Sequence, residues 1–192
     1  MINISTIFWF MVIFFGIIGM LRGWTKEVIA MSGIILVMFA INQFGIYVMG
    51  FVGSSGNVTT DTEQARRQVF YIFSTMLLII TFFSYQSPSI SSKLAGKLKV
   101  RDNFQDKFMG FVVGGINGYL VVGSLLSFLE YLLNSPGDWV QLPAGVGYPF
   151  SPETIVRPEF QSLMNILPMP VMAPYLPIFL VLVFLFVIVV MI

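Results

Sequence analysis

Four long apolar runs, each bounded by a short stretch that gathers most of the charge, organise the chain, and a fifth follows a Pro-rich interval. The first four cover about residues 4–21, 28–51, 69–85 and 108–129, and the last, YLPIFLVLVFLFVIVVMI, lies in 174–192. Runs of about 17 to 25 residues match the roughly 30 Å hydrocarbon core of a bilayer when they are helical. No period-2 alternation is sustained long enough for a transmembrane barrel. The pattern therefore predicts an all-α polytopic membrane bundle, with four core helices in residues 1–134. A Pro-rich extracytoplasmic segment (135–173) and a C-terminal membrane helix (174–192) complete the expected plan. In the second run Asn42 and Gln43 interrupt the apolar sequence, so that helix ends either at Phe44 or near Phe51.

The charges orient the spans. The connection Arg22 to Glu27 carries Arg22 and Lys26 against one acid, and the connection from Gln86 to Lys107 carries Lys93, Lys97, Lys99, Arg101 and Lys107 against Asp102 and Asp106. The other two loops are neutral or acidic. By the positive-inside rule both basic connections face the cytoplasm and the N-terminus lies outside. No positive charge precedes the first run, so it reads as a retained span of an inner-membrane protein and not as a cleaved leader.

Composition narrows the chemistry. Only 10% of the 192 residues are charged, against about a quarter in ordinary soluble domains, so a water-soluble enzyme is excluded. There is no His and no Cys. Disulfides, zinc sites, Cys–His pairs and Ser–His–Asp triads are therefore ruled out, and neither a cofactor nor a metal is expected. A formal net charge of +1 provides no field for binding nucleic acid.

The remaining signals concern packing and buried polarity. Gly16, Gly19 and Gly23 in GIIGMLRGW, and Gly110, Gly114 and Gly118 in GFVVGGING, are spaced to let helices approach closely, as small residues do in lipid. Arg22 and Lys26, four apart, share a face if the helix continues, and Glu27 stands near the start of the second helix, where it complements the positive dipole end. This hairpin reads as an anchor or as a site for a partner or anionic headgroups. Asn117 falls near mid-membrane, where its amide needs a hydrogen bond from another helix. Glu130 is close enough to the outer interface to reach water, and Asn42 is the third intramembrane polar candidate. Ile90, Leu94 and Leu98, flanked by Lys93, Lys97 and Arg101, suit a basic amphipathic helix on the inner membrane surface. In the Pro-rich segment, short interfacial helices are expected to begin at Ser151 and Pro158, the latter placing Phe160, Leu163, Met164 and Leu167 at helical spacing.

Over roughly residues 2 to 165 the chain resembles the colicin V production protein (CvpA-like) family of bacterial inner-membrane proteins. Leu21-Arg22-Gly23-Trp24-Thr25-Lys26-Glu27 is similar to the family's turn after the first helix. Asp106-Lys107-Phe108-Met109-Gly110, leading into Gly114 and Gly118, is similar to the approach to its fourth helix. Asp138-Trp139 and Pro158-Glu159-Phe160 sit where the family tends to place a short tail helix. Ser5 stands where the family often has an acid and Asn117 where it has an Arg, so roles needing those charges do not carry over. The fifth span lies outside the family pattern, and the extracytoplasmic serine protease attached in some relatives has no counterpart in a chain without His.

The resemblance implies a non-enzymatic membrane protein associated with colicin V production or export and with envelope stress tolerance. Its expected partners are membrane lipids and other membrane proteins or a second copy. Two other classes are distinguishable from it: an accessory subunit of a larger membrane assembly, and, less favoured, a small channel or transporter. Four or five spans without an internal repeat weigh against a conventional secondary transporter.

Overall fold

The computed structural model describes residues 4–54, 63–86, 103–129, 163 and 166–191. These form helices α1 (Ile4–Arg22), α2 (Trp24–Ser54), α3 (Glu63–Gln86), α4 (Asn103–Leu129), α5 (Pro168–Met172) and α6 (Leu176–Met191), with a 3-10 turn, Ala173–Tyr175, between the last two. Five of these stretches, the last running Pro168–Phe186 through α5 into α6, are long and apolar enough to cross a membrane. The protein is an all-α polytopic membrane bundle.

The second helix departs from its expected limits at both ends. Asn42 and Gln43 do not break it: α2 runs unbroken for 31 residues, about 46 Å at 1.5 Å per residue. That exceeds the hydrocarbon thickness, so α2 either tilts or extends past the membrane. Its start moves to Trp24, because the expected six-residue basic connection is a turn of one residue. Gly23, with φ of 85°, is the single non-helical residue between α1 and α2. It ends α1 in the left-handed conformation that glycine adopts without steric penalty, and its amide donates to the Gly19 carbonyl at 2.9 Å.

Among the described residues α1 and α4 share the most extensive interface. The two glycine clusters meet there. A Cβ on Gly19 would meet the main-chain oxygen of Gly110 and lie 2.7 Å from the Gly114 Cα, and one on Gly114 would lie 2.8 Å from the Gly19 Cα. One on Gly118 would run into the Phe15 ring. Lipid offers no hydrophobic drive for helix association, so this backbone-to-backbone approach, with its dispersion contacts, is what brings α1 onto α4.

The larger core lies between α2, α3 and α4 and includes Ile34, Met38, Ile41, Phe73, Leu77, Leu120 and Phe128. Met169, Ala173 and Leu176 complete it, so the chain around α5 packs into the bundle. Pro168–Tyr175, which the sequence assigns to the Pro-rich segment, runs directly into α6 and shares with it an apolar stretch, Pro168–Phe186, long enough to cross a membrane. Pro168 packs over Gly123 of α4, where a side chain would collide with its ring. Leu163 and Leu167 bury themselves against Phe8, and the Tyr119 hydroxyl donates to the Ile166 carbonyl at 2.5 Å. Glu130, the basic amphipathic stretch of residues 90–101 and the short helices expected from Ser151 and Pro158 lie outside the described residues, apart from Leu163 and Leu167; Leu167 is not helical as expected but extended, directly before α5.

Candidate functional site

Polar side chains from α1, α3 and α4 converge on one carboxylate of α2. Glu27, in the first turn of α2, is fully buried. Arg22 at the end of α1 donates from Nη1 to Glu27 Oε1 at 2.5 Å. The hydroxyl of Tyr85, near the end of α3, donates to Glu27 Oε2 at 3.0 Å. From α4, Asn117 Nδ2 donates to the same oxygen at 2.8 Å and to the Glu27 main-chain carbonyl at 3.0 Å.

Local sequence explains how each group reaches this point. Gly23 reverses the chain so tightly that Arg22 and Glu27, five residues apart, fall side by side. Arg22 is further fixed by Nη2, which donates to the Tyr85 carbonyl at 2.9 Å, and its guanidinium lies 4.2 Å from the centre of the Tyr85 ring, within cation–π range. The ring of Tyr85 in turn meets Phe15 edge-on at 6.4 Å, the side chain that covers Gly118.

A buried charge of this kind is tolerated only when paired and hydrogen-bonded. Glu27 accepts from a guanidinium, a phenol and an amide, supplied by α1, α3 and α4 respectively. The arrangement holds four helices in register through one ionised group, and such a pair specifies a structure more than it stabilises one. Its chemistry is that of a clamp. Among the described residues no group of three or more acids gathers to hold a metal ion.

Asp106 forms a second tie at the same turn. Its Oδ1 accepts from the Trp24 amide at 3.2 Å, which satisfies a free N–H at the start of α2 from a different helix. Its Oδ2 lies 2.8 Å from where a Cβ on Gly23 would stand. Lys26 and Lys107, the neighbours of these residues in the sequence, are exposed.

The structure thus brings together Arg22, Gly23, Glu27, Asp106 and Asn117 from the sequence candidates, and leaves Lys26 and Lys107 facing outward. Unlike the exposed Lys26, Arg22 is largely buried. It turns inward to the carboxylate, and Glu27 is a buried hub in addition to standing at the helix terminus. Asn42 is apart from the cluster on α2, its Oδ1 buried without a partner among the described residues. The hydroxyls of Ser74, Thr81 and Ser124 are likewise buried and unpaired. Tyr85 was missed by sequence reasoning. The usable signal was its position as a phenol at the end of an apolar run, where a buried hydroxyl needs a partner.

This architecture defines a multi-pass helical membrane protein whose first four helices close on a buried carboxylate, paired with a partly exposed arginine, next to a one-residue turn. The chain belongs to the colicin V production protein family, which matches residues 4–144. The match takes in α1 to α4 and stops before α5 and α6. No curated protein and no solved structure matches the chain.

Proposed function

We propose that this is a non-enzymatic protein of the bacterial inner membrane that assists production or export of a colicin V-type toxin, or envelope homeostasis, by engaging protein partners. The family match over residues 4–144 carries this reading. In it the N-terminus lies outside, following the excess of basic residues in the turn at Gly23 and in residues 86–107. Arg22, Glu27 and Asn117 are engaged with one another, which fits a scaffold better than a reaction centre. Lys26 and Lys107 are exposed beside the α1–α2 turn and are the surface offered to a cytoplasmic partner.

The test is a deletion strain of the host, assayed for toxin export and for sensitivity to membrane-active agents. Loss of either function, restored by the wild-type chain and not by a Lys26→Glu, Lys107→Glu variant that still inserts, is the expected result. A deletion that changes neither phenotype overturns the proposal. Because the chain has no cysteine, a single Lys26→Cys substitution reports the side of the membrane. Labelling by an impermeant maleimide in intact spheroplasts contradicts the assigned orientation.

A further inference from the structure

Between α1 and α3 lies a crevice of about 560 Å³ whose exposed walls are entirely apolar. Phe15 and Ile18 form one wall, Leu78 and Phe82 the other, and Val121 of α4 contributes to the lining between them. Its volume is in the range of small-molecule sites, about 300 to 1,000 Å³. Tyr85 also lines it, and the Tyr85 ring carries the Arg22 guanidinium.

Arg22 is not used up by the clamp. A guanidinium has five N–H donors, and the bonds to Glu27 and to the Tyr85 carbonyl engage one each from Nη1 and Nη2. The side chain keeps 24% of its surface exposed. Lys26 and Lys107, both exposed, flank the same turn, while the nearby Asp106 carboxylate is turned onto Gly23 and the Trp24 amide. The crevice thus reaches, through Tyr85, a guanidinium with donors to spare, and two exposed lysines stand next in sequence to the residues of the same turn.

We infer that this crevice is a site for an anionic glycerophospholipid, one acyl chain lying between α1 and α3 and the phosphate held by Arg22 with Lys26 and Lys107. The polarity sets the order: apart from Tyr85 and Thr81, whose hydroxyl is buried, the slot is lined by apolar side chains, and the lysines offer an alkyl chain nothing. A fork of guanidinium donors matches phosphate oxygens. The inference goes beyond the partner reading and does not depend on it, because lipid retention is measured on the isolated protein.

The test uses the full chain in a mild detergent, equilibrated with mixed micelles of phosphatidylglycerol and phosphatidylcholine with identical acyl chains. Retained lipid is counted by native mass spectrometry. Phosphatidylglycerol is expected to be retained in preference, and glycerol phosphate, which has no acyl chain, to leave it in place. Leu78→Trp, at an exposed position on the crevice wall, is expected to abolish retention. Lys26→Gln and Lys107→Gln alter only exposed side chains and should each lower the preference by about fivefold. Equal retention of the two lipids by the wild-type protein overturns the inference. So does unchanged retention in Leu78→Trp with its helical circular dichroism intact, an unchanged preference in the double lysine variant, or displacement by glycerol phosphate.

Discussion

Asn117 donates from one amide nitrogen to both the carboxylate and the main-chain carbonyl of Glu27, 90 residues earlier in the chain, at 2.8 and 3.0 Å. This double contact ties the middle of α4 to the first turn of α2. Replacing Asn117 with Leu removes both bonds and leaves a buried carboxylate short of a donor. A loss of about 2 to 4 kcal/mol is expected, read from denaturant unfolding in detergent micelles. A change below about 0.5 kcal/mol, within the spread of ordinary surface substitutions, would show that the clamp is dispensable.

The ion pair yields a sharper prediction, because breaking it and deleting it differ. Arg22→Met leaves Glu27 charged and unpaired, at an expected cost of about 3 to 5 kcal/mol. Adding Glu27→Met removes the stranded charge, so the double variant should be more stable than Arg22→Met alone. Equal or lower stability of the double variant in the same unfolding measurement would mean that the carboxylate matters for its other two partners more than for its charge.

The glycine interface separates substitutions by what the new methyl meets. Gly19→Ala and Gly114→Ala push against backbone that cannot rotate away, and each is expected to lose about 1 to 3 kcal/mol. Gly16→Ala meets first the edge of the Phe111 ring at 2.9 Å, a flexible neighbour, and should cost less. At Gly115 the nearest atom is the Val12 carbonyl oxygen at 3.9 Å, so Gly115→Ala should be neutral or gain up to about 1 kcal/mol from helix propensity. Ranking the four by heat-induced aggregation in one detergent checks the order.

Gly23 carries two separate constraints. Its φ of 85° penalises any L side chain by about 1 to 2 kcal/mol, and a Cβ would also press on the Asp106 carboxylate. Gly23→Ala should therefore lose more than the conformational cost alone. Combining it with Asp106→Ala should recover part of that loss, although Asp106→Ala by itself costs about 1 kcal/mol as a missing cap. A strictly additive double variant would place all of the cost in the backbone.

Most of the helical architecture was legible because apolar runs of membrane length have few alternative structures. Spacing alone set out both glycine clusters, and the expense of a bare amide in lipid marked Asn117 as a residue in need of a partner. The identity of that partner was hidden. Glu27 stands among Arg22, Lys26 and Thr25, a context that reads as an exposed turn, and only the one-residue reversal at Gly23 carries it inside. Tyr85 was hidden for a related reason, since its ring counts toward an apolar run while its hydroxyl serves a different helix. The extent of α2 was ambiguous because Asn42 and Gln43 are polar enough to suggest an end, yet neither breaks a helix.

The donors to Glu27 also differ in when they exist. Arg22 lies five residues before the carboxylate, Tyr85 follows it by 58 and Asn117 by 90. During synthesis the acid can enter the bilayer already neutralised by the arginine made just ahead of it, within a single hairpin. The phenol becomes available only when the third helix is complete, and the amide only with the fourth. Each later helix therefore docks onto a charge that an earlier one has left partly solvated, which gives insertion a built-in order. A nascent chain arrested before α4 should still expose this carboxylate to a carbodiimide that the finished protein excludes.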